Sequence, residues 1–124
     1  MKICITSQGE TLQSQVDPRF GRCAYFLIVD TESMDIETVS NSQTQAMGGA
    51  GVQAGQLMAQ KGVNVLLTGN IGPNAYQTLN AAGIEIITGV SGGVKAAVDK
   101  YKLGELQSTD GPNVNSHFGI NGGS

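Results

Sequence analysis

Tryptophan is absent from this chain of 124 residues, and only three Phe and three Tyr stand in for it. Ile, Val, Leu, Met and Ala must therefore fill the core. Charge is scarce as well: seven Lys and Arg stand against ten Asp and Glu, a net charge of −3. A chain so short of cations lacks the broad basic patch that displaces phosphate counterions, which argues against nucleic-acid binding. No apolar run approaches the roughly 20 residues that span a bilayer, so no membrane partner is expected. The opening Met1-Lys2-Ile3-Cys4-Ile5-Thr6 has one charge and a very short apolar run, unlike a signal peptide. The expectation is a cytoplasmic protein.

Cysteine and histidine are nearly missing. Two cysteines, Cys4 and Cys23, make no disulfide framework, and without Cys-x-x-Cys pairs they encode no closed zinc site. A single histidine, His117, among Asn, Gly and Ser leaves no Ser-His-Asp arrangement to expect. The glycine-rich turns lack the Gly-Lys-Ser/Thr of a phosphate-binding P-loop and the Gly-x-Gly-x-x-Gly of a dinucleotide site.

What is present is concentrated in Val16-Asp17-Pro18-Arg19-Phe20-Gly21-Arg22-Cys23. This stretch holds both arginines of the protein and one of its two thiols, beside a turn-forming Asp-Pro. Arginine presents a planar fork of donors suited to oxyanions. Adjacent positive charge would favour the Cys23 thiolate, the form that ligates metal. The plainer readings are an Arg19–Asp17 pair that braces the loop and a buried, inert thiol.

The length suits one domain, over 1–106, with a flexible polar tail over 107–124. Lys2 to Ser7 alternates as a strand, with Cys4 a buried member. Gln8 to Arg22 reads as a long loop, the kind that is often functional. Ala24 to Asp30 is a near-continuous apolar run and a central strand; Asp35 to Asn41 alternates weakly, as an edge strand does. Gly48-Gly49-Ala50-Gly51 opens a helix that Gly62 stops. Val63 to Thr68 is a buried strand. Gly69 to Gly72 turns into a second helix with Pro73 in its first position and Ala75, Leu79 and Ala82 inward. Ile84 to Thr88 is the last strand. Gly89 to Gly93 turns into a third helix, with Ser91 as its cap and Val94, Ala97, Val98 and Tyr101 inward.

An antiparallel meander followed by right-handed crossovers predicts an α/β fold. Its mixed five-stranded sheet has order 3-2-1-4-5, as in ribonuclease-H-like folds, with helices on both faces. Strands one and four then lie parallel, and a crevice opens at their carboxyl ends. The loop after strand one and the glycine turns converge there. The backbones of Gly49, Gly51, Gly72 and Gly92 could approach an anion beside helix N-termini. Two-metal nuclease chemistry needs clustered carboxylates, and strands one and four carry none.

These residues have a counterpart among known proteins. Met1-Lys2-Ile3-Cys4-Ile5, Asp17-Pro18-Arg19-Phe20-Gly21-Arg22-Cys23 with Tyr25-Phe26, Gly48-Gly49-Ala50-Gly51, and Gly69-Asn70-Ile71-Gly72-Pro73-Asn74-Ala75 together resemble the dinitrogenase iron–molybdenum cofactor biosynthesis family over about residues 1–105. The resemblance implies a ribonuclease-H-like fold without nuclease activity. It also implies a role in binding or carrying an iron–sulfur or iron–molybdenum cluster or its precursor. A carrier must release its cargo, which suits one or two protein ligands plus electrostatics. The expectation is a non-catalytic carrier of an anionic metal–sulfur cofactor, working with cluster donor or acceptor proteins. Arg19, Arg22 and Cys23 form its site with the four glycine backbones, and Cys23 and His117 are candidate metal ligands. The alternatives are an anion- or nucleotide-binding regulatory module without metal, and a catalytically silent protein-interaction scaffold.

Overall fold

The computed structural model describes residues 1–41, 50–109 and 111–112. In chain order the elements are β1 (Lys2–Ser7), β2 (Tyr25–Asp30), β3 (Ile36–Ser40), α1 (Ala50–Gln60), β4 (Val65–Leu67), α2 (Pro73–Ala81), β5 (Glu85–Ile87) and α3 (Val94–Lys102). They form one five-stranded sheet in the order β3-β2-β1-β4-β5. β1 pairs antiparallel with β2 and parallel with β4; β2 and β3 are antiparallel, and β4 and β5 are parallel. This is the predicted topology.

β1 lies at the centre because both of its faces are apolar. Ile3 and Ile5 enter one core with Leu27, Val29, Leu67 and the α3 residues Val94, Ala97 and Val98. Cys4 enters the other with Phe26, Leu66, Ala54 and Met58 of α1, and Ala75 and Leu79 of α2. The period of two along the strand thus sends alternate residues to opposite layers. α1 and α2 cover one face and α3 covers the other. β3 is an edge strand whose residues are mostly exposed, as its weak alternation predicts.

Two boundaries differ from expectation. The N-cap of α3 is Gly93, not Ser91, and it makes no side-chain capping bond. The reason is that the loop after β1 supplies the acceptors instead: the Ser14 carbonyl takes the Val94 N–H at 2.9 Å and the Leu12 carbonyl takes Lys95 N–H at 3.1 Å. Ala82 is the exposed C-cap of α2 rather than an inward residue, because α2 ends one residue before it. Past Leu106 the described residues still touch the sheet. Thr109 N–H donates to the Ile86 carbonyl at 2.7 Å, and the Thr109 hydroxyl accepts from Thr88 N–H at 2.9 Å. Residues 108 and 109 therefore lie along the outer edge of β5, where unpaired backbone groups invite a partner.

Candidate functional site

The strand directions fix where the loops meet. β1, β3, β4 and β5 all end at one side of the sheet, and the three helices run back from that side. The loop from Gln8 to Arg22 does not stand off as an open connection. It folds over the carboxyl ends of β1 and β4 through backbone bridges from Val16 to Ser7, from Gln15 to Gly93 and from Arg19 to Asn70. The loop thereby lies across the expected crevice between the two strands.

Buried hydroxyls and a missing side chain make that possible. Thr6 Oγ1 donates to the Asp17 carbonyl at 2.7 Å and pairs with Thr68 Oγ1 at 2.9 Å, while Asp17 N–H donates to the Thr6 carbonyl. Both threonines are fully buried. The Pro18 carbonyl accepts from Asn70 twice, from its backbone N–H at 2.7 Å and its Nδ2 at 3.1 Å. Gly69 faces Pro18 so closely that a Cβ there would sit 2.7 Å from Pro18 Cα and 2.8 Å from its carbonyl oxygen. Only glycine permits this approach.

From Pro18 the chain crosses to the α1–α2 face. Phe20 N–H donates to the Asn70 carbonyl, and the Phe20 ring tilts against Phe26 with centroids 5.7 Å apart. Arg19 pairs with Asp17, its Nε 3.4 Å from Oδ1, and its backbone N–H donates to the same oxygen at 3.0 Å. Asp17 is buried, yet the Arg19 side chain keeps 62% of its surface exposed. The bracing pair is real, but it occupies one edge of the guanidinium and leaves the rest outward. Gly21 turns the chain with φ 90°. Arg22 follows, exposed, with no acidic partner among the described residues.

Of the two readings of Cys23, the buried thiol is the one that the structure favours. The residue is fully buried, and its thiol is pushed up to about 12 from 9.0. Desolvation dominates, and the Asp17 carboxylate adds to it; donation from backbone N–H groups and the Arg19 charge only partly oppose them. The neighbouring arginines therefore do not make a thiolate. Cys4, in the same core, is raised in the same sense by burial and by Cys23.

Asn41 holds this segment from below. It is fully buried at the end of β3, and its Nδ2 donates to the Gly21 and Cys23 carbonyls, each at 2.9 Å. No motif marks Asn41, Thr6 or Thr68 as fastening residues, and Asn70 is marked only as part of its glycine turn. The available signal was position: each is a polar residue closing or just following an apolar strand, where a loop must be fastened.

Arg19 bridges to Asn70, two residues before Gly72, the N-cap of α2, and Cys23 enters the core that Ala75 and Leu79 of α2 line; Arg22 lies between them in sequence, exposed. Gly51 lies in the first turn of α1, at the same end of the sheet. Gly92 falls elsewhere, on the α3 side, where its carbonyl accepts from Val16 N–H and the first α3 amides are already taken. It does not join the arginines. Gly49 and His117 lie outside the described residues. Among the described residues no three His, Cys, Asp or Glu side chains are grouped as a metal ion would require, and no helix is long and apolar enough to cross a membrane.

Comparison with known proteins follows this geometry. The chain matches the family described as dinitrogenase iron–molybdenum cofactor over residues 1–104. The apo form of the orange protein from Desulfovibrio gigas is 42% identical, with a TM-score of 0.87, covering 90% of this chain and 95% of that one. A candidate NifB protein from Thermotoga is 39% identical with a TM-score of 0.75, covering 86% and 91%. An uncharacterised protein of Methanocaldococcus jannaschii is 31% identical over 97 residues, 76% of this chain and 82% of its own length.

Proposed function

Because the chain belongs to the dinitrogenase iron–molybdenum cofactor family, we propose that it is a non-catalytic carrier of an anionic iron–sulfur or iron–molybdenum cluster or precursor. A cofactor-related binding or carrier role follows from the family and from relatives such as the orange protein, solved in its apo form. The finer reading rests on one observation. Arg19 and Arg22 are exposed on a loop that is fastened at Thr6, Asn41 and Asn70, with Phe20 between them bonded to Asn70 two residues before the α2 N-cap.

Such a loop suits a charged cargo that must later leave. Sulfide-bridged clusters are often anionic, and guanidinium groups hold anions by charge-assisted hydrogen bonds worth about 1.5–3 kcal/mol each. The start of α2 adds a favourable dipole. Cys23 anchors the loop beneath the arginines, and it would have to leave the core and lose its proton before bonding to iron. The cargo would be iron and sulfide, or a cluster passed by a donor protein and handed to an acceptor.

Anaerobic reconstitution with ferrous iron and sulfide, or with a donated cofactor, tests this. Wild type should retain a coloured, metal-containing species through gel filtration, and Arg22→Ala should retain about a tenth as much at limiting cargo. Failure of wild type to retain metal defeats the proposal. A metal-free anion site is the second reading, favoured by the protonated, buried Cys23. A melting shift with phosphate esters and none with iron and sulfide would support it.

A further inference from the structure

The Asn41 carboxamide has one arrangement open to it. It faces two carbonyl oxygens, those of Gly21 and Cys23, at 2.9 Å each. Carbonyls only accept, so both bonds must come from the NH2 group. Each also dictates the peptide beyond it. A peptide unit is planar, and in its trans form the N–H points opposite to the C=O. Drawing the Gly21 carbonyl to Asn41 therefore turns the Arg22 N–H away from Asn41. Gly21 accommodates the turn with φ 90°. Among the described residues no acceptor takes the Arg22 N–H. The same residue carries an exposed guanidinium.

We propose that Asn41 is a positioning residue for anion binding: by seizing the Gly21 and Cys23 carbonyls it aims the Arg22 backbone N–H at the ligand. The ligand is an oxyanion or sulfide-bearing anion small enough to meet that amide and the Arg22 guanidinium together. The inference rests on the carrier reading above and adds a residue to it that never touches the cargo. Asn41 is fully buried and works only through the loop it shapes. The chemistry also sets a requirement on residue type. Aspartate is of nearly the same shape but offers no donor, and would set its oxygens against two carbonyls. Alanine leaves both carbonyls buried without a donor.

Two measurements test this, with molybdate and with ferrous iron plus sulfide as probes. In 15N-labelled wild type, molybdate should move the Arg22 amide proton downfield in a saturable titration. Asn41→Ala and Asn41→Asp should bind the probes at least about tenfold more weakly and show no shift at that amide. A residue that merely stabilised the fold would lower the melting temperature but leave the Arg22 amide response in place. An unmoved Arg22 amide in wild type that still binds molybdate overturns the inference while sparing the carrier proposal, and requires no variant to fold. No binding of either probe by wild type overturns both. Full affinity in Asn41→Asp overturns the inference alone.

Discussion

The Cys23 proton is held by burial, and this makes the protein sensitive to base. A thiol whose folded pKa is raised favours the folded state while protonated. That stability is complete below the unfolded value of 9.0 and is lost as pH climbs toward about 12. Cys4 is displaced in the same direction. The unfolding free energy from urea titration should therefore fall steadily between pH 9 and 11, by about 1.4 kcal/mol per pH unit for Cys23, with Cys4 adding in the same direction. Cys23→Ala should make the slope shallower. Native protein at pH 8 should also resist iodoacetamide until urea opens the core. Arg22→Ala should behave oppositely, weakening cargo retention while leaving the melting temperature within a degree or so, because the side chain is exposed. Residue identity was enough to propose Arg19, Arg22 and Cys23 as a site. It was not enough to say how they face. An Arg-Cys neighbour pair reads the same whether the thiol lies beside the charge or beneath the sheet, and only the fold decides between charge and desolvation.

At the scale of elements, the loop from Gln8 to Arg22 is held by contacts distant in sequence. Thr6 lies 62 residues from Thr68, and Pro18 lies 52 from Asn70. Gly69→Ala should cost about 1–3 kcal/mol, because its Cβ meets Pro18 backbone rather than a movable side-chain end. Chemical denaturation measures the loss, and cargo affinity should fall with it. Thr68→Val should cost about 1 kcal/mol by stranding the Thr6 hydroxyl network, without a clash. The strands themselves were legible from apolar runs and period two, and the helix ends from Pro73, Gly62 and Gly83. The α3 cap was not legible. Ser91 has the right chemistry two residues too early, and the acceptors that replaced it come from Leu12 and Ser14, about 80 residues away. The same holds for the predicted crevice: nothing local in Val16-Asp17-Pro18 says that this loop lies down on β4.

For the whole molecule, crossover handedness and the meander were sufficient to order the sheet, and that order brings the loop, the start of α2 and the end of β3 to one side. Cargo bound there would brace segments joined by tertiary contacts alone, so binding should stabilise the entire domain. Cluster present at 100 times its dissociation constant should add about 2.7 kcal/mol, read as a rise in melting temperature that Arg22→Ala abolishes at the same concentration. The far rim of the sheet has a different duty. Thr109 pairs with the Ile86 carbonyl and the Thr88 amide along β5 and so covers part of that edge. A chain cut after Leu106 would keep the arginine loop yet bare that rim, and it should cloud on concentration, by light scattering, where the full chain stays clear.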